Sequence, residues 1–246
     1  MTGPAVGLGD YERPSLTVDL VLLTVADGAL SVLVIRRGEP PSAGEWALPG
    51  GFVHIDESID QTAQRVLRDK ARLPGAFVEQ LYTFGAVDRD PRGRVISVAH
   101  FALVAHERLA AAMETSHDLA LAQVVTLWSD EEGGASSIRL ETGETPSLPF
   151  DHRDILGLAV KRLRGKLDYT AVGLELLPEL FPLRALQAVH EAILGHPLTK
   201  PAFRRKMLDR GYLQATGERE APGAFRPAEL YRRADIKPLE KENDHG

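Results

Sequence analysis

In the first half of the chain, the residues whose types and spacing most clearly suggest a chemical role lie between Gly50 and Leu73 (GGFVHIDESIDQTAQRVLRDKARL). A pair of glycines precedes a segment with helical periodicity. On that segment Val66, Asp69 and Lys70 share one face, because they are three and four residues apart. Asp69 alone makes a poor Mg²⁺ site, since this ion requires near-octahedral oxygen ligands. A lysine at the next position repels a metal and could instead contact a phosphate group directly.

The second chemically distinctive segment is TKPAFRRKMLDRG at 199–211. Its apolar residues have the spacing of one buried helix face, and arginines and lysines occupy the remaining surface. Such a helix suits the major groove of DNA, where Arg reads guanine edges and Lys contacts phosphates. The predicted DNA-contacting residues of this helix are Lys200, Arg204, Arg205 and Lys206, with Thr199 as a plausible N-cap. The β-ribbon that follows is also basic, which predicts a wing that contacts the DNA backbone or minor groove. Its basic residues are Arg219, Arg226, Arg232 and Arg233.

The elements that must position the residues between Gly50 and Leu73 are mainly strands. Two runs rich in Val and Leu between Leu16 and Arg37 are joined by Asp27-Gly28, a dipeptide that supplies the positive φ angles of a type I′ turn, so they predict a β-hairpin. Glu57 to Arg72 is predicted to form a helix, with Asp56 as a possible cap and Pro74-Gly75 as its stop. The other predicted elements of this half are strands at 77–84, 95–105 and 124–128, and a partly helical or irregular segment at 107–121.

After Pro149 the sequence becomes mainly helical. Helices are predicted at 151–164, 182–194 and 199–211, and two short strands follow around a Gly- and Pro-rich turn. The order helix, turn, helix and β-ribbon over 182–233 predicts a winged helix-turn-helix. The fold class predicted for the whole chain is α+β, a mixed β-sheet/α domain followed by that module. The predicted organisation is a flexible arm at 1–15, a ligand-binding domain at 16–148, a DNA-binding domain at 149–237 and a polar tail at 238–246.

Composition narrows the possible functions of this 246-residue chain. It contains no Cys, which excludes disulfides and thiolate metal sites. It has no apolar run of 18 residues and no signal-peptide pattern, so we expect no membrane partner and a cytoplasmic location. Residues 1–150 contain 12 Lys and Arg against 21 Asp and Glu, whereas residues 151–237 contain 16 against 11. This asymmetry favours two domains with different partners, and nucleic acid is a candidate partner of the second domain.

Gly51, Glu57 and Arg65 have the spacing of the first half of the Nudix box, G-x5-E-x7-R-E-U-x-E-E-x-G-U, where U is apolar. The preceding strand and loop, with Trp46 and the sequence LPGG, also resemble that family, and the resemblance covers roughly residues 16–140. It implies a mixed β-sheet between helices and action on nucleoside diphosphates linked to another group. It also implies that Glu57 and Arg65 form a structural ion pair that ties the loop to the helix.

The second half of the box departs from the family pattern. Val66, Asp69 and Lys70 stand where the family has its catalytic glutamates, and Arg72 stands where it has glycine. In an active member those carboxylates hold Mg²⁺, and the metal stabilises charge during phosphate hydrolysis. We therefore expect hydrolysis to be lost or vestigial, with no metal or cofactor, while ligand binding survives. The predicted ligand-binding residues are Arg36, Arg37, Trp46, Gly50, Gly51, Phe52, Lys70, Phe84, Arg89 and Arg92.

Two longer stretches, YTFGAVDRDPRGRVISVAHFALV and LQAVHEAILGHPLTKPAFRRKML followed by GYLQATGE, resemble the Nudix-related transcriptional regulators of NAD metabolism of the NrtR type. This resemblance covers about residues 15–233. It implies a homodimer on a pseudo-palindromic double-stranded DNA operator, repression of NAD-biosynthesis genes, and ADP-ribose or a related NAD metabolite as effector. Two alternatives remain open. One is a Nudix hydrolase of ADP-ribose-type nucleoside diphosphates with relocated acids, and the other is a regulator of sugar-utilisation genes with a different ligand.

Overall fold

The structure is a computed structural model that describes residues 7, 9, 11–128, 132–221 and 227–234. The predicted tail and much of the predicted arm lie outside these residues. None of the helices in the described ranges is long and apolar enough to cross a membrane. The strands are β1 (Ser15–Ala26), β2 (Ala29–Arg36), β3 (Trp46–Ala47), β4 (Gly50–Phe52), β5 (Glu79–Phe84), β6 (Val95–Leu103), β7 (Leu119–Thr126), β8 (Ser136–Arg139), β9 (Phe181–Pro182), β10 (Leu213–Arg219) and β11 (Glu229–Arg233). The α-helices are α1 (Ile59–Asp69), α2 (His106–Glu114), α3 (His152–Tyr169), α4 (Leu183–Leu194) and α5 (Lys200–Asp209), and a 3₁₀-helix spans Val172–Leu176.

Strand β1 lies at the centre of the first domain. Among the described residues, eight strands form one mixed sheet in the order β5-β6-β1-β2-β7-β8, with β3 paired to β2 and β4 paired to β1. β1 runs antiparallel to β2 and parallel to β6. At the turn between β1 and β2, Asp27 and Gly28 have φ angles of +49° and +73°, so the predicted hairpin is confirmed.

Helices cover both faces of this sheet, because successive side chains of β1 point to opposite sides. Leu20 and Leu22 belong to a core that includes residues of α1 and α2. Val21 and Leu23 belong to the opposite core, which includes residues of α3 and α4. The α+β fold class is therefore confirmed for the first domain, and its sheet is buried on both sides.

Some element boundaries differ from the predicted ones. Helix α1 begins at Ile59, and its N-cap is Ser58, whose side chain accepts from the Gln61 backbone while the Gln61 side chain accepts from the Ser58 backbone. The prediction of Asp56 as the cap was wrong, because this reciprocal capping box satisfies the exposed helix donors two residues later. Strand β7 begins at Leu119 rather than at residue 124, because it continues the pairing with β2 back to Ile35.

Helix α3 is longer than predicted and packs on the sheet. Its inward residues Ile155, Leu156, Ala159, Val160 and Leu163 are all completely buried, and they share one core with β1. The predicted domain boundary at residues 148–149 stays a prediction. The packing of α3 favours a boundary after this helix, because an apolar face of this size gains its stability from the sheet that it covers.

The C-terminal module has the predicted helix–turn–helix and ribbon. Among its described residues, β10, β11 and β9 form a small sheet in that order, and α4 and α5 pack against it. Phe181, Leu186, Phe203, Met207 and Tyr231 form its buried core. Gly211, just beyond the end of α5, has a φ angle of +69°, a left-handed conformation that glycine commonly provides at the end of a helix.

Two glycines of α3 provide a test of this packing. A Cβ atom at Gly157 would lie 1.9 Å from the Gly134 carbonyl oxygen, whereas one at Gly165 would meet no atom within 4 Å. We expect Gly157→Ala to lower the free energy of unfolding by about 1–3 kcal/mol, because backbone must move to admit the methyl group. Gly165→Ala is the matched control, and it should raise stability by about 0.5–1 kcal/mol through helix propensity.

Urea unfolding followed by circular dichroism measures both variants. If Gly157→Ala were as stable as Gly165→Ala, the close approach of α3 to the 134–135 segment would be contradicted.

Candidate functional site

A cavity of about 670 Å³ opens beside the segment that sequence analysis singled out. Its walls come from β1, the end of β2, β4, α1, the loop between β5 and β6, and the residues before α3. Eight of the ten predicted ligand-binding residues line it, and they are Arg36, Arg37, Gly50, Gly51, Phe52, Lys70, Arg89 and Arg92. Trp46 and Phe84 do not line it. Both are partly buried against the core, Trp46 below Arg36 and Phe84 beside Tyr82.

The two glycines of β4 are required by close packing. A Cβ atom at Gly50 would lie 2.1 Å from the Asp19 carboxylate oxygen, and one at Gly51 would lie 3.1 Å from a Val66 methyl group. The chain therefore passes directly over β1 and α1. The Lys70 ammonium group donates to the Gly50 carbonyl oxygen at 2.5 Å, which holds the lysine against this strand at the cavity wall.

Glu57 and Arg65 are paired across the loop that leads into α1. The Arg65 guanidinium donates to both Glu57 oxygens at 2.7 and 2.8 Å, and it also donates to the Phe52 carbonyl oxygen at 2.8 Å. The Thr62 hydroxyl donates to Glu57 at 3.0 Å. Hydrogen bonding to Arg65 lowers the pKa of Glu57 from 4.5 to about 2. This bidentate pair connects β4, the loop and α1 as one unit.

The three altered positions of the box have different surroundings. Val66 is 0% exposed and packs in the core beneath the sheet. Asp69 lines the cavity, but its two carboxylate oxygens accept from Arg68 at 2.7 and 3.1 Å. In the part of the chain that the structure describes, no three His, Asp or Glu side chains are grouped as a metal site. Of the three, only Asp69 and Lys70 line the cavity, and a metal site there would need further carboxylates.

Arg37 and Lys70 are cations of the cavity wall that lack a carboxylate partner. Within the described ranges, neither Arg37 nor Lys70 lies within 4 Å of a carboxylate oxygen. Burial and then repulsion from Arg92 lower the pKa of Arg37, and burial and then repulsion from Arg37 lower the pKa of Lys70. An anion placed between them would relieve this repulsion, so the pair forms an electropositive surface suited to phosphate groups.

Arg92 and Arg89 are also cationic but are already paired. Arg92 donates to both oxygens of Asp90 at 3.0 and 2.7 Å. Its guanidinium group lies 5.1 Å from the Phe52 ring centre and 5.8 Å from that of Phe150. The Arg89 side chain is 3% exposed and donates twice to Asp151, at 2.8 and 2.6 Å. Arg89 therefore has little capacity left for a ligand.

A buried polar network lies at the base of the cavity and was missed by sequence analysis. Asp19 on β1 accepts from the Ser97 hydroxyl at 2.6 Å, and a guanidinium nitrogen of Arg89 lies 3.5 Å away. The backbone N–H of Leu48 donates to Nδ1 of His152 at 3.1 Å, which leaves the proton of the neutral ring on Nε2, 3.7 Å from Asp19. Burial lowers the pKa of His152, so the ring is neutral. The available sequence signal was an aspartate inside an otherwise apolar strand, since such a residue needs a partner.

The predicted DNA-contacting residues of α5 fall into two groups. Arg205 and Lys200 are exposed, and neither forms an ion pair within the described part of the chain. Arg204 is 3.9 Å from Glu229 of the ribbon. Lys206 points towards α3, where it is 2.9 Å from Asp168. Phe203 and Met207 are buried, so Arg205 lies on the opposite, solvent-facing side of the helix.

The remaining predicted DNA contacts lie at the edges of this surface. Thr199 occupies the N-cap of α5, but its side chain makes no capping hydrogen bond. Arg219 on β10 is exposed and donates to the Pro227 carbonyl oxygen at 3.1 Å. Arg226 lies outside the described residues. Arg232 and Arg233 on β11 are tied to Gln214 and Glu175, so neither guanidinium is free of an intramolecular contact.

Comparison with known proteins supports the two-part organisation. The family model for the NUDIX domain matches residues 14–131, and the model for the NrtR DNA-binding winged helix domain matches residues 173–233. The chain is 37% identical over 228 residues to an ADPR responsive transcriptional repressor of Acinetobacter baylyi, an alignment that covers 91% of this chain and 83% of the relative.

Two solved structures are similar over most of the chain. Shewanella oneidensis NrtR complexed with a 27mer DNA is 34% identical, with a TM-score of 0.71, and the match covers 89% of this chain and 93% of that one. A MutT/nudix family protein from Enterococcus faecalis is 28% identical, with a TM-score of 0.72, and the match covers 93% and 90%. The arrangement of the sheet domain and the winged helix is thus shared with a structure that was solved on DNA.

The pairing of Glu57 with Arg65 predicts a specific pH dependence. The pKa of Glu57 falls from 4.5 to about 2 on folding, so the pair stabilises the protein above about pH 4.5 and loses this contribution as the pH falls towards 2. We expect Glu57→Gln to lower the melting temperature at pH 7, and the difference from the wild type to shrink steadily between pH 4.5 and pH 2.

Thermal unfolding at a series of pH values measures this difference. Glu141→Gln is the control, because Glu141 is exposed and outside the cavity. A Glu57→Gln deficit that is equally large at pH 7 and pH 2.5 would show that the carboxylate charge does not stabilise the loop.

Proposed function

The chain belongs to the NrtR family of Nudix-related transcriptional regulators, and from this premise we propose that it is an ADP-ribose-responsive repressor of transcription. The winged helix binds operator DNA, and the Nudix domain binds ADP-ribose without efficient cleavage. The observation that carries the effector half is the cavity wall with Arg37 and Lys70, two cations without a carboxylate partner whose pKa values are lowered by burial and then by positively charged neighbours.

A diphosphate fits this electrostatic environment. Its oxygens are anionic and accept several hydrogen bonds, whereas the Arg37 guanidinium donates, among the described residues, only to the carbonyl oxygens of Pro41 and Glu39. Lys70 donates to one carbonyl oxygen and keeps further donor capacity. The exposed ring of Phe52 at the cavity wall offers an apolar surface to a ribose or a base. The proposed ligand-binding set is therefore Arg36, Arg37, Gly50, Gly51, Phe52, Lys70 and Arg92.

The same residues argue against catalysis. Hydrolysis in the Nudix family uses a row of carboxylates to hold Mg²⁺, and here Val66 is buried, Asp69 is paired with Arg68 and Lys70 is cationic. The cavity therefore holds an anionic ligand and lacks the means to stabilise the charge that develops during cleavage. We propose that this degenerate box converts an enzyme site into a sensor site.

The DNA half of the proposal rests on α5. Its outward face presents Arg205, with Lys200 at the N-terminal end and Arg204 towards the ribbon. This arrangement suits insertion in the major groove, with Arg219 on the wing near the backbone. We propose that the protein is a homodimer, and a two-fold symmetric dimer binds a pseudo-palindromic operator. The regulated genes are those of NAD biosynthesis. Such a repressor acts in the cytoplasm.

The effector controls DNA binding only if it binds one arrangement of the two DNA-binding modules better than the other. ADP-ribose then shifts the population towards the arrangement that it prefers, and the DNA affinity changes by the same coupling free energy. The two domains share buried surface through α3 and α4, so a change at the cavity has a physical route to the winged helix.

The two groups of α5 cations predict different losses of DNA affinity. Arg205→Ala should weaken binding to operator DNA by about 1–3 kcal/mol, or roughly 5- to 150-fold, because it removes a contact in the groove. Lys206→Ala is the matched control from the same helix. It should change the affinity far less, since Lys206 is directed to Asp168.

Mobility shift on the promoter of an NAD-biosynthesis operon, at two salt concentrations, measures both variants. Absence of wild-type binding at moderate salt, with and without ADP-ribose, would contradict the proposed function. An Arg205→Ala variant with wild-type affinity would remove this face of α5 from the interface.

Lys70 provides the test of the effector half. Lys70→Gln should weaken ADP-ribose binding by roughly 10- to 150-fold, because a charge-assisted hydrogen bond contributes about 1.5–3 kcal/mol. Arg108→Gln removes one positive charge from an exposed position of α2, outside the cavity, and should leave the affinity unchanged.

Isothermal titration calorimetry with ADP-ribose measures the affinities, and release of AMP in the presence of Mg²⁺ measures hydrolysis. Equal affinities of the Lys70→Gln variant and the wild type would contradict the proposed contact. Wild-type turnover of about 1 per second or faster would instead identify an enzyme.

A further inference from the structure

Phe150 has an unusual conformation at the edge of the cavity. Its φ angle is +58°, in the left-handed region that bulky side chains rarely occupy. It is followed directly by Asp151 and by His152, the first residue of α3. Strained backbone of this kind persists only where surrounding contacts hold it, and it clusters at ligand-binding and switching sites.

The contacts that hold this segment come from the two residues after Phe150 and from the Phe150 ring itself. Asp151 accepts two hydrogen bonds from Arg89, and His152 accepts one from the Leu48 backbone. The Phe150 ring itself is 5.0 Å from the Arg37 guanidinium carbon and 5.4 Å from the His152 ring centre. The ring therefore contacts Arg37, a cavity cation that lacks a carboxylate partner, while the Phe150 backbone leads straight into α3.

The other end of α3 is attached to the recognition helix. Lys206 of α5 donates to Asp168 at 2.9 Å, and Arg210, just after α5, donates to the carbonyl oxygens of Leu167 and Asp168. The Tyr212 hydroxyl donates to the Tyr169 carbonyl oxygen at 3.1 Å. Cations at these last carbonyl groups are favoured by the helix dipole. At 18 residues, α3 spans about 27 Å without a break between the cavity and α5.

We infer that Phe150 is the positioning residue through which a diphosphate ligand in the cavity acts on α5. This inference rests on the proposed function and adds the residue that couples its two halves. A diphosphate that engages Arg37 competes with the Phe150 ring for the same guanidinium group. The ring then loses a contact that holds the strained segment, and the first turn of α3 changes its position. Because the last turn of α3 carries α5, the response reaches the DNA-binding surface.

Removal of the aromatic ring separates this coupling from ligand binding. Phe150→Leu keeps an apolar side chain, and Phe150→Gly suits the positive φ angle, so one variant remains informative if the other folds poorly. Phe150→Tyr keeps the ring and is the conservative control. For each variant we would measure the affinity for ADP-ribose, the affinity for operator DNA, and the ratio of DNA affinities with and without saturating ADP-ribose.

The wild type and Phe150→Tyr should show a ratio within the range of about 5- to 150-fold that is typical of allosteric coupling. Phe150→Leu and Phe150→Gly should bind ADP-ribose at least as tightly as the wild type, because the competing ring is absent. They should bind free operator DNA within about threefold of the wild type, but their ratio should fall close to one. The rate of amide hydrogen exchange in the first turn of α3 should change on addition of ADP-ribose in the wild type and in Phe150→Tyr, and in neither of the other variants.

Two results would overturn the inference while leaving the proposed function intact. One is a wild-type ratio in both ring-deleted variants. The other is a loss of ADP-ribose affinity in these variants with the full ratio restored at saturation, which would make Phe150 an ordinary ligand contact. A wild-type protein that binds operator DNA but shows no effect of ADP-ribose would overturn the proposed function together with the inference.

Discussion

A carboxylate buried within an apolar strand is stable only when its charge is matched, and Asp19 imposes this requirement on the first domain. It lies on the central strand between Val18 and Leu20, both completely buried. Ser97 from β6 and Arg89 from the loop between β5 and β6 approach it, and Arg89 in turn holds Asp151 at the start of α3. One strand, one loop and one helix are thereby fixed around the base of the cavity. Loss of Arg89 would leave Asp19 and Asp151 without their guanidinium partner, so these elements depend on one another.

The cavity above this network has the opposite electrostatic character. Arg37 and Lys70 face it without carboxylate partners, although Lys70 stands where a metal-binding acid would be needed for cleavage. Repulsion between these two cations is unfavourable, and an anionic ligand removes part of that cost. In the proposed function, a lysine at this position disfavours a divalent metal and favours an anionic group of the ligand.

The winged helix is joined to the sensor domain by polar contacts around the end of α3 and by the shared core of α3 and α4. This attachment divides the cations of α5 according to the direction in which they point. Lys206 and Arg210 are occupied by α3, whereas Arg205 faces solvent. One side of this basic segment therefore stabilises the structure, and the other is available to DNA. Its net charge overestimates the number of positive side chains that can contact DNA.

The sequence by itself determined the hairpin at Asp27-Gly28, the Gly-rich loop and helix with Glu57 and Arg65, and the order of elements in the winged helix. These features depend on turn chemistry, periodicity and short spacings, which act between neighbours in the chain. Only the tertiary structure decided that α3 packs on the sheet, that Arg89 is committed to Asp151, and that Trp46 and Phe84 lie away from the cavity. Arg89 and Asp151 are 62 residues apart, and Ser97 and Asp19 are 78 residues apart. Which charges neutralise one another, and which remain for a ligand, is set when distant segments fold together, and no local pattern of residues records that pairing.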